Sequence, residues 1–257
     1  MQLEGKVALV TGGGKGIGRA MALLFAQEGA SLALTGRNDN IERVADEIIE
    51  QGGQAMAVLA DVSDEPGVEQ VVSAVIDRFG QIDILVNNAG IIGPTAPVVR
   101  VELKEWERTI AVNLTGAFLC AKHALPLMIE RRSGRIINIT SVAGLSAYAL
   151  RSPYSVSKWG MVGLTETLAA EAGPYNITVN AIAPGPVRGA RIDEVIRRRA
   201  EEMGVPVEDV ERQYVDPAAL KRMAEEDDIA RMALFLASEA GRNITGQTIE
   251  ISAGYRL

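Results

Sequence analysis

Short apolar segments alternate with longer segments of helical periodicity along most of the 257-residue chain. Such a rhythm predicts right-handed βαβ units and a parallel sheet that helices cover on both faces. The predicted strands are Val7–Val10, Leu32–Thr35, Ala55–Ala60, Ile84–Val86, Arg135–Ile139, Ile177–Ile182 and Thr248–Ile251. The predicted helical stretches are Gly16–Gln27, Ile41–Gln51, Val68–Phe79, Val101–Arg131 and Pro153–Ala172. We therefore expect an α/β fold with a doubly wound parallel sheet of about seven strands.

The segment from residue 184 to residue 227 departs from this rhythm. It contains Arg197-Arg198-Arg199 among several acidic residues, a pattern that predicts short helices joined by loops. In a doubly wound sheet, a long insertion after the carboxyl end of a strand lies over the ligand crevice. We expect this segment to form a substrate lid. Because no linker, repeat or change of composition divides the remainder, residues 1–257 are predicted to form a single domain.

Composition and charge exclude several kinds of partner. A net charge of -7 argues against a surface for nucleic acid or for an anionic membrane. The only cysteine, Cys120, excludes an intrachain disulfide and suits a reducing compartment. We find no secretory signal and no apolar run of membrane-spanning length, so a cytoplasmic location is expected. Since His123 is the only histidine and no cluster has metal-ligand spacing, no metal site is predicted.

A glycine-rich turn, Thr11–Gly18, separates the first predicted strand from the first helix. Glycine permits positive φ angles and removes side chains that would keep a phosphate away. The helix that follows presents free N–H groups and the positive end of its dipole. A plain tight turn is the alternative, but the position between strand and helix favours a dinucleotide site in a Rossmann-like fold. The predicted phosphate contacts are Gly12, Gly14, Lys15, Gly16, Ile17 and Gly18.

Arg37 indicates which dinucleotide is bound. A site for NAD usually has an acid at the end of the second strand, but here Arg37 follows the strand and Asp39 comes later, in the loop. A guanidinium can bind the 2′-phosphate of NADP, and Lys15 adds a second positive charge. Two solvated surface cations are the alternative. NADP(H) is therefore preferred, with NAD(H) possible. Asp61-Val62, after the third strand, is expected to contact the adenine or backbone N–H groups, or to begin the next helix.

Tyr154 and Lys158 are four residues apart at the start of a predicted helix, which places them on one helical face. Ser141 follows the fifth strand, and Asn113 lies in the preceding long helix. The nearby ammonium of Lys158 favours the phenolate of Tyr154, whose ordinary pKa is about 10. Tyr154 could then exchange a proton with a carbonyl or alcohol oxygen that Ser141 orients. Ser141 has neither the flanking glycines nor the histidine partner of a hydrolase nucleophile.

The set of motifs resembles the short-chain dehydrogenase/reductase family, in its single-domain branch. The matching residues are Thr11–Gly18, Asp61, Asn87-Asn88-Ala89-Gly90, Asn113, Ser141, Tyr154, Lys158 and Pro184-Gly185. The resemblance implies that Lys158 holds the ribose hydroxyls of the nicotinamide and that Asn113 holds a water linking Lys158 to solvent. It also implies a homotetramer built partly on the helices that carry Asn113 and Tyr154. The further cofactor contacts that it implies are Asn87, Ala89, Gly90, Tyr154, Lys158, Pro184, Gly185 and Val187.

Three positions depart from the family pattern: Gly14, where a hydroxyl is common; Gly189, where threonine is common; and Ser252-Ala253-Gly254, in place of Asp-Gly-Gly. The leading hypothesis is an NADPH-dependent carbonyl reductase, with 3-oxoacyl thioesters as the closest-looking substrate class. A sugar, steroid or other alcohol dehydrogenase working oxidatively is the second enzyme hypothesis. A dinucleotide-sensing protein without turnover is the third.

Overall fold

The computed structural model describes residues 1–255, and a single seven-stranded sheet forms its centre. The strands are β1 Val7–Thr11, β2 Ser31–Gly36, β3 Ala55–Leu59, β4 Ile84–Asn87, β5 Gly134–Ile139, β6 Ile177–Pro184 and β7 Thr248–Ile251. Their order is β3-β2-β1-β4-β5-β6-β7, and every neighbouring pair is parallel. The chain builds outward from β1 on one side and from β4 on the other. A crevice therefore opens at the carboxyl ends of β1 and β4, and the predicted doubly wound sheet is confirmed.

Nine α-helices of the described chain connect and cover these strands. They are α1 Gly16–Gln27, α2 Asn40–Glu50, α3 Glu65–Phe79, α4 Leu103–Ile110, α5 Gly116–Arg131, α6 Ser152–Ala172, α7 Ala190–Met203, α8 Val207–Val215 and α9 Glu226–Ala237. A π-helical turn, Ala111–Thr115, joins α4 to α5, so the predicted long helical stretch is continuous. The segment of residues 184–227 forms α7 and α8, as its pattern predicts.

Helix α9 is the element that the sequence pattern did not reveal. It begins inside an acidic run at the end of the segment of residues 184–227, where the charges obscure the apolar periodicity. Its start nevertheless has a local signal, since Glu225 and Asp228 form a reciprocal capping box with the backbone. The helix packs against α1, beside the glycine turn.

Alternate residues of each strand face two separate apolar layers. Ala8 and Val10 of β1 pack beneath α1, α2 and α9, whereas Val7 and Leu9 pack beneath α3, α5 and the end of α6. Burial on both faces explains why the strands are continuous apolar runs instead of alternating ones. The two layers make the sheet rigid and hold the carboxyl ends of its strands in fixed positions.

The continuous helix from Leu103 to Arg131 is long and apolar enough, by length and composition alone, to cross a membrane. No apolar run of membrane-spanning length was expected from the sequence. Half of the most apolar part is buried inside the domain, with Cys120 among the core residues. Packing against α3 and the sheet accounts for this apolar character.

Candidate active site

The turn after β1 forms a cradle, and two of its positions, Gly12 and Gly18, have no room for a side chain. Gly12 has a φ of 67°, and a Cβ there would lie 3.0 Å from the Cα of Ala89. A Cβ at Gly18 would overlap the carbonyl oxygen of Gly12. The N-cap residue Lys15 makes no capping hydrogen bond, which leaves the first N–H groups of α1 available. The cradle therefore fits the phosphates of a dinucleotide.

A cleft of about 950 Å³ extends from this cradle across the carboxyl ends of β4, β5 and β6. Most of the residues predicted from the sequence to bind cofactor or substrate line it. They are Gly12, Lys15, Gly16, Ile17, Gly18, Ala89, Gly90, Ser141, Tyr154, Lys158, Pro184, Gly185 and Val187. The side of the cleft opposite the sheet is formed by residues of α7 and α8, from Ala190 to Tyr214.

Tyr154 and Lys158 come from the first turns of α6, and Ser141 from the end of β5. The ammonium of Lys158 lies 5.8 Å from the centre of the Tyr154 ring and donates a 2.7 Å hydrogen bond to the carbonyl of Ile139. Ser141 is in an extended conformation, and its side chain contributes to lowering the pKa of Tyr154. The three side chains predicted to carry out the chemistry thus meet at one end of the cleft.

The charges around Tyr154 favour its ionised form. Burial by itself raises the pKa of the phenol, but the positive charges of Lys158, Arg191 and Arg151 and the hydrogen bond of Ser141 together lower it. Burial also lowers the pKa of Lys158 to about 8. A phenol with a lowered pKa beside a buried ammonium is suited to proton exchange with a substrate oxygen.

Asn113 lies in the π-helical turn and is completely buried. Its amide accepts a 2.7 Å hydrogen bond from the N–H of Ile91 and donates a 3.0 Å bond to the carbonyl of the same residue. A third hydrogen bond, of 3.1 Å, reaches the hydroxyl of Ser157. Asn113 therefore holds the loop after β4 against α6 beside Gly90 and does not itself line the cleft.

The side chain of Asn87, a predicted cofactor contact, lies within the sheet and does not line the cleft. Its amide is buried and donates to Asn138, which in turn donates to Thr165, so the three form a network between sheet and helix. Asn88 lines the cleft instead and donates to the carbonyls of Thr11 and Gly12. Successive residues of a strand end point in opposite directions, and the sequence alone did not show which of the two faces the cleft.

Arg37 and Asp61 lie at the carboxyl ends of β2 and β3, beside the cleft. The carboxylate of Asp61 accepts a hydrogen bond from the backbone N–H of Ser63 and a second one, of 2.7 Å, from Arg108. The guanidinium of Arg37 is half exposed and lies 3.9 Å from the same carboxylate. Burial opposes ionisation of Asp61, but the hydrogen bonds of Ser63 and Arg108 lower its pKa to about 2. The alternative prediction, that Asp61 begins the next helix, is wrong, because Asp64 is the N-cap of α3.

Local packing or backbone conformation accounts for three further residues that the sequence analysis singled out. The side chain of Val62 packs in the core against Gly116, outside the cleft. Gly14 also lies outside it, and a side chain there would overlap Asn40. Gly189, the N-cap residue of α7, has a φ of 138°, a conformation that glycine adopts far more readily than threonine.

Several residues that line the cleft were not identified from the sequence as site residues. Arg151, Tyr148, Tyr214 and Tyr255 line the end beyond Tyr154, and Glu226 lies near the glycine cradle. Arg197 and Arg198 form ion pairs with Glu201 and Glu194 along α7. Arg198 also lines the cleft, and so does Arg191, which donates a hydrogen bond to the carbonyl of Gly90.

Glu65, Glu69 and His123 are the one set of metal-ligating side chains that comes together in the described chain, with ligand atoms within 4.8 Å of one another. The sequence analysis found no such cluster, because the residues belong to α3 and α5. The ammonium of Lys122 lies 2.5 Å from Glu65 and already neutralises that carboxylate. The cluster is therefore a surface ion-pair network.

The doubly wound sheet, the glycine cradle and the Ser141, Tyr154 and Lys158 set together define an oxidoreductase with a nicotinamide dinucleotide cofactor. The model of the short chain dehydrogenase family matches residues 6–200 of the sequence. The chain belongs to this family and is an enzyme acting on a carbonyl or alcohol carbon.

Proteins with different substrates in their names are similar to it over nearly their whole length. The 3-oxoacyl-[acyl-carrier-protein] reductase FabG of Staphylococcus epidermidis is 38% identical over 251 residues, covering 97% of this chain and 98% of its own. A 3-oxoacyl-[acyl-carrier-protein] reductase of Synechocystis sp. is 39% identical over 255 residues, covering 98% and 97%. The crystal structure of NAD+-bound xylitol dehydrogenase aligns with a TM-score of 0.96 at 34% identity, covering 99% of this chain and 100% of the other.

Proposed function

We propose that the protein is an NADP(H)-dependent carbonyl reductase that uses Tyr154 as its general acid. The observation that carries the proposal is the meeting of Tyr154, Lys158 and Ser141 at the far end of a cleft that starts at the glycine cradle. A bound nicotinamide would supply the hydride. Tyr154 donates a proton to the carbonyl oxygen, Ser141 orients that oxygen, and Lys158 favours the phenolate that remains.

The preference for NADP(H) is supported by the charges at the ends of β1 and β2. Arg37 is half exposed, its nearest carboxylate is 3.9 Å away, and that carboxylate is already held by Arg108. Lys15 is an exposed cation at the mouth of the cleft. Both cations are available to a 2′-phosphate, which would form charge-assisted hydrogen bonds with them.

Substitution of Tyr154 by phenylalanine tests the chemistry. Tyr154→Phe is expected to lower kcat by about 10²- to 10⁴-fold, because it removes the proton donor and keeps the ring. NADPH binding, measured by fluorescence titration, should change little. Tyr175→Phe is the matched control, since Tyr175 lies in the turn after α6 and away from the cleft. A Tyr154→Phe enzyme with near-normal kcat would exclude the proposed role.

A second candidate function is oxidation of a sugar alcohol or another secondary alcohol. The likeness to NAD+-bound xylitol dehydrogenase favours it. Initial rates should be measured in both directions with NADP(H) and with NAD(H), on 3-oxoacyl compounds and on polyols. Activity confined to polyols with NAD+ would replace the leading proposal with this one. Cofactor binding without turnover of any carbonyl or alcohol would favour the dinucleotide-sensing hypothesis.

The assembly and the lid belong to the same proposal. Phe118 on α5 and Val156 and Trp159 on α6 are large apolar side chains that are about half exposed, which supports a homotetramer built on these helices. The segment of residues 184–227, whose α7 and α8 line the cleft, is proposed to close over the substrate. The single, buried thiol of Cys120 is compatible with the proposed cytoplasmic location.

A further inference from the structure

Arg151 is a buried cation in the cleft whose hydrogen-bonding capacity is only partly used. It directly precedes α6, is 1% exposed and lines the cleft. Its guanidinium carbon lies 4.9 Å from the centre of the Tyr154 ring and 5.8 Å from that of Tyr148. One nitrogen, Nη2, donates a 2.5 Å hydrogen bond to the carbonyl of Ile92. The other two, Nε and Nη1, have no hydrogen-bond partner among the described residues.

No carboxylate of the described chain compensates this charge. Arg191 also lines the cleft and forms no ion pair with a described residue, and Glu194, three residues along its helix, is bound to Arg198. Lys158 adds a third positive charge around Tyr154. Arginine remains charged in proteins, and a buried charge without a partner is strongly unfavourable. Such an arrangement is understandable if the substrate brings the missing negative charge.

We propose that Arg151 binds a carboxylate of the substrate, so that the enzyme acts on short oxo acids and their hydroxy acids. This inference rests on the proposed function and narrows its substrate. A carboxylate accepts two parallel hydrogen bonds from a guanidinium, which suits the two unpartnered nitrogens.

The position of Arg151 limits the distance between the acid group and the reacting carbon. Its guanidinium carbon lies 4.9 Å from the centre of the ring of the proposed proton donor, so we expect the carboxylate and the carbonyl to be close together in the substrate. A 3-oxo acid meets this condition and keeps the skeleton of a 3-oxoacyl compound, with a carboxylate in place of the uncharged thioester. A cofactor phosphate would not provide the negative charge opposite Arg151. The phosphates would lie in the Gly12–Gly18 turn, at the other end of the cleft.

The experiment compares an acid with its neutral ester. Values of kcat/KM are measured for acetoacetate and methyl acetoacetate, with whichever nicotinamide cofactor supports turnover. The native enzyme is expected to prefer the acid. Arg151→Met should lower the acid-to-ester ratio by about 30- to 100-fold, as expected for the loss of charge-assisted hydrogen bonds. Arg151→Lys should keep part of the preference, because it restores the charge but not the planar fork.

Arg199→Met is the matched control. Arg199 contacts the other side of the same small cluster, 5.4 Å from the Tyr148 ring, but it is only partly buried and does not line the cleft. This variant should leave the acid-to-ester ratio unchanged. Equal use of acid and ester by the native enzyme, or an equal loss of both in Arg151→Met, would overturn the inference and leave the proposed function standing.

A binding measurement separates the two proposals if no carbonyl compound is turned over. Malonate, an unreactive dicarboxylate, is titrated calorimetrically into the protein saturated with NADP+. Binding that is weakened at least about tenfold in Arg151→Met and unchanged in Arg199→Met supports the carboxylate site even without turnover. Malonate binding that is absent, or that does not depend on Arg151, rejects the site.

Discussion

Tyr154 is a buried phenol whose ionisation is decided by the balance between desolvation and nearby cations. Desolvation alone would hold the proton on the ring throughout the physiological range. Lys158, Arg191 and Arg151 reverse that effect and lower the pKa. Because these cations come from α6, from α7 and from the loop before α6, the reactivity of one side chain depends on several parts of the fold.

Loss of one of these cations should shift the pH profile in a defined direction. Arg191→Met removes a charge that favours the phenolate and so raises the pKa of Tyr154. The acid limb of kcat for oxidation of a neutral secondary alcohol is expected to move to higher pH by about half a unit to one unit. Arg197→Met, which removes an exposed arginine paired with Glu201 on the same helix, should not move it. A shift to lower pH, or none, would contradict this account.

Arg37 controls the choice of dinucleotide in the proposed function. Arg37→Asp replaces a cation with a carboxylate that would repel a 2′-phosphate and accept hydrogen bonds from a ribose hydroxyl. The ratio of kcat/KM for NADPH to that for NADH should fall by about 100-fold. Arg43→Asp, on the exposed face of α2, is the control. An unchanged ratio in Arg37→Asp would mean that Arg37 is not the phosphate anchor.

Local sequence spacing was sufficient to predict that Tyr154, Lys158 and Ser141 meet. It was not sufficient to predict every residue that surrounds them. Tyr154 and Lys158 share a helix and Ser141 ends a strand, so their meeting follows from secondary structure and sheet order. Arg151 is different, because its burial requires the rings of Tyr148 and Tyr154 and the loop around Ile92. In the sequence it resembles the solvated arginines of α7.

The strand–turn–helix unit at the start of the chain depends on a close approach between α1 and the end of β1. Gly18→Ala adds a methyl group that overlaps the carbonyl of Gly12, so the helix must shift. We expect a loss of about 1–3 kcal/mol in the free energy of unfolding and weaker NADPH binding. Gly173→Ala, in an open turn with nothing near the added carbon, should change neither quantity appreciably. Denaturant unfolding and fluorescence titration provide the two measurements, and equal behaviour of the variants would contradict the proposed close packing.

Regular elements were predictable where apolar periodicity was uninterrupted. The seven strands and five long helical stretches agree with the structure to within a few residues. The π-helical turn was not predicted, because its single extra residue per turn leaves the helical pattern almost unchanged. The turn contains Asn113, whose side chain holds the loop after β4 against α6.

The proposed assembly is a property of the whole molecule. Trp159→Glu places a charge on the apolar face of α6 and is expected to shift the protein from tetramer to smaller species in sedimentation velocity. Ile49→Glu introduces the same charge at a similarly exposed apolar residue on α2, away from α5 and α6. It should leave the sedimentation coefficient unchanged. A native protein that sediments as a monomer would remove the assembly proposal.

The single thiol has a practical consequence for testing whether the segment of residues 184–227 closes over the cleft as proposed. Cys120 is buried, and burial raises the pKa of its thiol to about 12. A covered, protonated thiol does not react with maleimide dyes. The native chain should therefore take up no dye, so an introduced cysteine can be labelled without first replacing Cys120. A cysteine introduced at Glu208, exposed on α8, would carry a lone dye that reports opening and closing without prior removal of any natural residue.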